Sequence, residues 1–377
     1  MDLVVISLEP WDQVRRRNQH LVDGLLDLHP GLRVLFVEPA HDPIHAARRR
    51  SRPRPGPGLR RARPTDSQHW QRLWLLGPTK WLPRRIDPSW DRRWAAQVVR
   101  AADRLGFSAP LLWVNDPAGA AVLSRTSWPA LYDITDDWLA ARRPSREIAR
   151  LAAHEHILLT EAAEVVVCSP GLRRVKGQGR RVELVPNAAD LSAYAAGLPR
   201  PGDLPAGPVA LYAGTLHTDR LDVGLVRATA AELVGAATVV LLGPDALDPA
   251  SRASLADAGV VILGARAASE VPAYLLHADV LLVPHVVDEF TDSLDPIKRY
   301  EYEAAGRPVV STAVAGFVDS PAATIADRAA FPAAVRRAVE EHKTPRPAHR
   351  PTGVDWADRV RQVRALLERV GQAQAAG

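Results

Sequence analysis

SLDPIKRYEYEAAGRPVVS, residues 293–311, reads as a helix followed by the strand it delivers. Asp295 is placed to cap the helix, and Pro296 suits its first position, where a missing N–H costs nothing. Gly306 suits the left-handed residue that ends a helix, and a strand starts at Pro308. Lys298 then falls in the first turn, where unpaired amides and the helix dipole already favour an anion. Glu301 lies three residues further on, on the same helical face. A cation beside free amides suits a phosphate, and a carboxylate one turn deeper suits the two hydroxyls of a ribose. The same two residues also read as a surface ion pair of little energetic consequence.

The helix-then-strand rhythm of this stretch extends along the chain. Strands are predicted at Leu3–Ser7, Arg33–Val37, Leu73–Leu76, Leu111–Val114, Ala130–Ile134, Glu164–Val167 and Val182–Val185, with helices such as Gln13–Leu28, Ser89–Leu105 and Ser145–Thr160 between them. A second series runs Val209–Tyr212, Thr238–Leu242, Val260–Leu263, Val280–Val283 and Pro308–Ser311. Alternation of this kind predicts parallel sheets covered on both faces. The length of 377 residues accommodates two such cores. The seam is expected in the proline- and glycine-rich stretch Leu198–Gly207. The fold class is therefore α/β, with two doubly wound Rossmann-like domains facing across a cleft: residues 1–197, then 198–345, with a final helix in 352–377 packing back on the body. Ligands of such sheets gather at the carboxyl ends of the strands. Neither domain carries a dinucleotide glycine fingerprint, and a P-loop is absent.

No run of eighteen apolar residues is present, so no segment is expected to span a membrane. The opening Met1–Ile6 reads as a first strand rather than a signal peptide. A single cysteine, Cys168, excludes an intrachain disulfide and fits a buried strand end in a reducing, cytoplasmic setting. The net charge of +5 is uneven. Residues 46–64 contain Arg48, Arg49, Arg50, Arg52, Arg54, Arg60, Arg61 and Arg63 without one acid, interleaved with prolines, and are expected to form a mobile loop. Such a loop is either simply solvated or drawn to an anionic acceptor or the acidic inner face of a membrane, which would make the protein peripheral there. Nucleic acid is not expected as a partner, because no stacking aromatics or recognition motif accompany the basic run.

The stretch DPIKRYEYEAAGRPVVST (295–312) resembles the nucleotide-binding helix of GT-B-fold glycosyltransferases, in the form carried by bacterial exopolysaccharide and teichuronic-acid enzymes. VVVCSPGL (165–172), LVPNAADLSAY (184–194), ALYAGTLHTDRLD (210–222) and VILGARAASEVPAYLLHADVLLVPH (261–285) are similar to further segments of that family, in the same order. The resemblance implies a glycosyltransferase that uses a nucleotide-diphosphate sugar as co-substrate, with no metal and no other cofactor. It implies Glu301 at the nucleotide ribose, Lys298 at the donor phosphates, and the Gly214-Thr215 loop against the diphosphate. Gly243, His285, Ser293, Leu294, Asp295, Pro296 and Ile297 complete the donor-binding set, with His217 and Arg220 beyond the glycine loop. Many relatives pair two glutamates seven residues apart; here Ser293 takes the first position. Thr215 and Leu221 stand where such relatives carry an arginine and a lysine. These departures leave the donor-sugar contacts and the stereochemical outcome open.

An inverting transfer needs a group that takes the acceptor hydroxyl's proton, whereas a retaining one can use the leaving phosphate. Strand Ala130–Ile134 runs into Thr135-Asp136-Asp137, and Asp137 is the first candidate base, then Asp136, then Asp133. Each also reads as a helix cap or loop anchor. Trp11 with Arg15 and Arg16, and Lys80 with Trp81, are candidate acceptor contacts, since aromatic faces beside cations suit a glycan, a lipid-linked sugar or a small natural product. His154 and His156 face different ways on a helix, and Asp288, Glu289 and Asp292 lack ligand spacing, so no metal site is expected. Two other classes compete: a nucleotide-sugar epimerase or hydrolase on the same fold, and a non-catalytic nucleotide-sugar-binding partner subunit.

Overall fold

The computed structural model describes residues 1–12, 14–48, 52–140, 143–195, 197–287, 295–341 and 352–375. The chain divides into two compact units: Met1–Pro186 with the residues from Ala357 onward, and Asn187–Trp356. Strands of the first unit are β1 (Asp2–Ile6), β2 (Arg33–Val37), β3 (Gly58–Arg61), β4 (Leu73–Gly77), β5 (Leu111–Val114), β6 (Ala130–Ile134), β7 (Glu164–Val167) and β8 (Glu183–Leu184). They form one sheet in the order β3-β4-β2-β1-β5-β6-β7-β8. Apart from β3, which runs antiparallel to β4, its pairings are parallel. Strand β1 is central because both its faces are apolar: Leu3, Val4, Val5 and Ile6 are buried, as a strand covered by helices on both sides requires. Leu3 registers with Val34 on one side and Leu111 on the other.

The second unit holds β9 (Val209–Ala213), β10 (Thr238–Leu242), β11 (Val261–Gly264), β12 (Val280–Val283), β13 (Val309–Ser311) and β14 (Ala323–Ile325), ordered β11-β10-β9-β12-β13-β14 and parallel throughout. Separate apolar clusters cover its two faces, one built on Leu211, Tyr302 and Phe317, the other on Tyr212, Leu241 and Phe331. In both units the strand order reverses beside the first strand, β1 or β9, which places a crevice at its carboxyl end.

Several expectations change. The basic stretch 46–64 is not one loop. Its start belongs to the helix Pro43–Arg48 and its later part is edge strand β3, whose Arg60 bonds Asp66 at 3.3 Å. Antiparallel pairing with β4 supplies the backbone partners that composition alone did not reveal. Strand β14 is likewise additional. The helix predicted from Gln13 begins at Arg17, where the Gln19 side chain turns back to accept the Arg16 N–H at 3.0 Å; residue 13 lies outside the described set. The boundary between units falls at Pro186, ahead of the proline-rich stretch, because Asn187 bonds Asp295 and Tyr194 packs in the second unit's core.

The terminal helix Trp356–Ala375 buries Val360, Val363, Leu366, Leu367 and Val370. Its Val360 sits so close to Gly24 that a Cβ there would lie 2.4 Å from a Val360 methyl. Cys168 is buried and its thiol faces the Thr135 carbonyl. Among the described residues no helix is long and apolar enough to cross a membrane.

Candidate functional site

In the second unit, β9 and β10 are each followed by a glycine that carries a positive φ: Gly214 at +147° and Gly243 at +144°. Only glycine takes such angles without strain. The two loops are in backbone contact as well. A Cβ on Gly243 would stand 2.1 Å from the Gly214 carbonyl oxygen, and one on Gly214 would stand 2.7 Å from Lys298 Nζ. Bare backbone at the end of β9 therefore faces an ammonium, with no side chain between them.

That ammonium comes from the helix Ile297–Ala305. Tyr302, fully buried in its middle, accepts the Ala213 N–H at 3.0 Å and so fastens the helix to the last residue of β9. Gly306 ends it in the left-handed conformation, φ 61°, as its sequence predicts. Lys298 Nζ lies 4.1 Å from the centroid of the Tyr212 ring and 3.4 Å from His285 Nε2. Tyr212 Oη lies 3.2 Å from the same nitrogen. Burial, reinforced by Lys298 and Arg220, pushes the His285 imidazole down to about 2, so the ring is neutral. An ammonium can only donate, so a bond from Lys298 requires Nε2 as the acceptor, with the ring proton on Nδ1. The Lys298 ammonium makes no salt bridge with a described carboxylate.

Glu301, one turn on, is half-buried and has no hydrogen-bond partner among the described residues. Burial raises its carboxyl to about 6, and the Lys298 charge works against the rise. A buried carboxyl without a hydrogen-bond partner is a costly arrangement for an empty protein, and the ammonium one turn earlier is held by neutral groups that leave its charge in place. Carboxyl and ammonium are what a ligand carrying hydroxyls and phosphates would satisfy.

Other candidates in this unit fare differently. Asp295 does not cap the helix. Its carboxylate accepts the Asn187 N–H at 2.6 Å and the Tyr300 hydroxyl at 2.8 Å, so it ties the chain down behind the site. The capping position falls to Pro296, which supplies no side-chain acceptor for the Ile297 and Lys298 amides, while the Arg299 N–H bonds the Pro296 carbonyl at 3.0 Å. Thr215 is exposed. His217 pairs with Asp219 at 3.3 Å at the surface, and the Arg220 carbonyl accepts the Val286 N–H at 2.8 Å. Ser293 and Leu294, like the acidic group Asp288, Glu289 and Asp292, lie outside the described residues. Among the described residues no three His, Cys, Asp or Glu side chains converge as metal ligands. Tyr212 and Tyr302 escaped the sequence reading, since a tyrosine at a strand end or inside a helix is indistinguishable from core.

In the first unit, the candidate bases separate by their partners. Asp137 is buried and bonded by Lys176 Nζ at 2.9 Å, and the same ammonium bonds Glu155 at 2.7 Å. Asp137, the first candidate base, is thus a member of a buried ion cluster. Removing its one cation leaves two buried carboxylates uncompensated, so Lys176→Met should destabilise the protein by about 3–5 kcal/mol in a urea titration. Asp133 is held bidentately by Arg17, at 3.0 and 3.1 Å. Asp136, also at the carboxyl end of β6, is half-buried and accepts from the Thr135 hydroxyl at 3.2 Å.

The acceptor candidates also divide. Trp11 is no open platform. It is buried against Phe36, ring centroids 4.9 Å apart, and its indole N–H donates to the Asp66 carbonyl. Arg15 pairs with Asp23, Arg16 with Asp12, and Lys80 with Asp42. Trp81 is 58% exposed.

Residues 207–341 match the family model described as Glycosyl transferases group 1, a span that contains every donor-site residue placed above. A Bacillus subtilis (strain 168) protein named as a teichuronic acid biosynthesis glycosyltransferase, TuaH, is 23% identical over 218 residues, covering 53% of this chain. The chain spans about half the length of that curated relative, 55%. Among solved structures, a sucrose-phosphate synthase from Thermosynechococcus elongatus aligns over 100% of both chains with a TM-score of 0.66 and 18% identity. Anabaena HepE in complex with UDP and glucose aligns over 98% of this chain and 99% of its own, with a TM-score of 0.62 and 13% identity. The fold is that of the GT-B class, with two parallel-sheet Rossmann-like units, and residues 207–341 are similar to the glycosyl transferases group 1 model.

Proposed function

We propose that this chain is a glycosyltransferase that moves a sugar from a nucleotide-diphosphate sugar to an acceptor hydroxyl on a glycan, a lipid-linked sugar or a small natural product, without a metal. The observation that carries the reading is the placement of Lys298, which meets no described carboxylate in a salt bridge, and Glu301, which has no described hydrogen-bond partner, on one face of the helix Ile297–Ala305 beside the bare backbone of Gly214. Glu301 accepts hydrogen bonds from the two ribose hydroxyls. Lys298 and the uncapped amides meet the diphosphate and stabilise the charge that develops on it as the glycosidic bond breaks, the work a metal does elsewhere. Neutral His285 and the Tyr212 ring hold the lysine in place without cancelling its charge. In an inverting transfer an acid at the carboxyl end of β6, Asp137 or Asp136, takes the acceptor proton; in a retaining one the leaving phosphate does.

Recovery of a glycosylated product from a panel of nucleotide sugars and acceptors, in the presence of a chelator, tests this reading. Release of free sugar or an epimer without any acceptor would refute it. A pH dependence follows from Glu301. The ionised carboxylate is the ribose acceptor, so nucleotide affinity should fall about tenfold per pH unit below about 6, and Glu301→Gln should abolish that slope in calorimetric titrations. For the unliganded protein the sign is opposite. A carboxyl raised from 4.5 to about 6 by folding favours the fold most at low pH, and that contribution is lost as pH climbs through this window.

A further inference from the structure

The loop that leads from β4 to the helix Trp90–Arg104 holds three apolar side chains away from the first unit's core: Trp81 is 58% exposed, Leu82 44% and Ile86 58%. Its backbone fixes them there. The His41 N–H bonds the Pro78 carbonyl at 2.8 Å, the Lys80 N–H bonds the His41 carbonyl at 2.7 Å, and the Ile86 N–H closes a turn on the Pro83 carbonyl at 2.8 Å. Single exposed apolar residues are ordinary on a protein surface. Several on one anchored loop, an indole among them, ask for an apolar partner.

The charge around this loop is one-sided. Every acid in residues 41–93 is engaged: Asp42 by Lys80 at 2.8 Å, Asp66 by Arg60 at 3.3 Å, Asp87 by Arg93 at 2.8 Å and Asp91 by Arg84 at 2.9 Å. Arg52, Arg54, Arg85 and Arg92 are exposed and pair with no described carboxylate. Arg85 belongs to the loop, and Arg92 to the helical turn that follows it. Backbone contact brings Arg52 and Arg54 to the same edge. The Gly56 N–H donates to Thr79 Oγ1 at 2.8 Å, and a Cβ on Gly56 would lie 2.5 Å from the Pro78 carbonyl oxygen. Arg54 and Trp81 are each two residues from that junction.

We propose that this surface docks the protein on an anionic lipid bilayer, with Trp81, Leu82 and Ile86 in the headgroup boundary and Arg52, Arg54, Arg85 and Arg92 against lipid phosphates. An indole beside aliphatic side chains suits that boundary, which is apolar on one side and wet on the other. Cations spread around the apolar residues gain from the negative surface potential without needing fixed partners. A protein partner would need a carboxylate placed for each arginine. A second copy of the chain fits less well, because a two-fold contact would set the same uncompensated arginines against each other. A nucleic acid could use the arginines but would leave Leu82 and Ile86 in water. The assignment does not rest on the transferase reading, since none of these side chains belongs to the second unit.

The test is sedimentation of the full chain with vesicles of phosphatidylcholine alone and of equal parts phosphatidylcholine and phosphatidylglycerol. Binding should be about tenfold or more tighter on the anionic vesicles and should weaken as salt is raised. Arg54→Ala and Arg85→Ala should each weaken it about fivefold. Trp81→Ala combined with Ile86→Ala should weaken it about tenfold or more. Melting curves should stay unchanged, because every replaced side chain is exposed. Val234→Ser, at a 77% exposed position of the second unit, should leave binding as it was. Equal binding to neutral vesicles, no binding to anionic ones, or indifference to the arginine or the Trp81 and Ile86 replacements would each overturn the assignment. So would a dimer, seen by sedimentation velocity, that these replacements dissociate.

Discussion

Lys298→Ala should lower sugar transfer by about 10²–10³-fold, the effect of deleting one preorganised donor from developing charge. Lys298 is the cation aimed at bare backbone, 2.7 Å from where a Cβ of Gly214 would be, and no described carboxylate neutralises it. Its position is set by Tyr212 beneath it and His285 beside it, so little reorganisation is left to the moment of bond cleavage. Lys298→Arg keeps the charge but is longer and planar, and should restore only part of the rate. Steady-state kinetics with saturating acceptor read the loss directly. Because the side chain makes no salt bridge with a described residue, thermal stability should not fall with it.

Glu301→Ala should weaken nucleotide binding by about 10–150-fold, which corresponds to about 1.5–3 kcal/mol for hydrogen bonds to a charged group. The unliganded protein should, if anything, gain stability, since the variant removes a carboxylate that burial already disfavours. Loss of affinity with gain or no change in stability separates a ligand-binding carboxylate from a structural one. Isothermal titration with nucleoside diphosphates, paired with thermal melts of the empty proteins, provides both numbers.

Much of the fold was legible because its signals are local. Apolar runs such as Leu3–Ile6 and Leu111–Val114 declare buried parallel strands, and Pro296 and Gly306 bracket a helix within one residue of where it forms. Strand β3 was hidden because arginine, proline and glycine carry no strand signal; only its pairing with β4 makes it one. The site was legible where function sits on one element, as with Lys298 and Glu301, and opaque where partners are distant in sequence. Nothing near Asp137 reveals that Lys176 would occupy it, nothing near Asp295 reveals Asn187, and Trp11 reads as exposed until Phe36 and the Asp66 carbonyl are placed around it.

A crystal structure with a nucleoside diphosphate bound would bear most directly on the role of the helix Ile297–Ala305. It should show both Glu301 oxygens within about 3 Å of the ribose hydroxyls and Lys298 Nζ against a phosphate oxygen beside Gly214. A nucleotide seated elsewhere, or seated there with the Glu301 carboxylate turned away from the sugar, would contradict it.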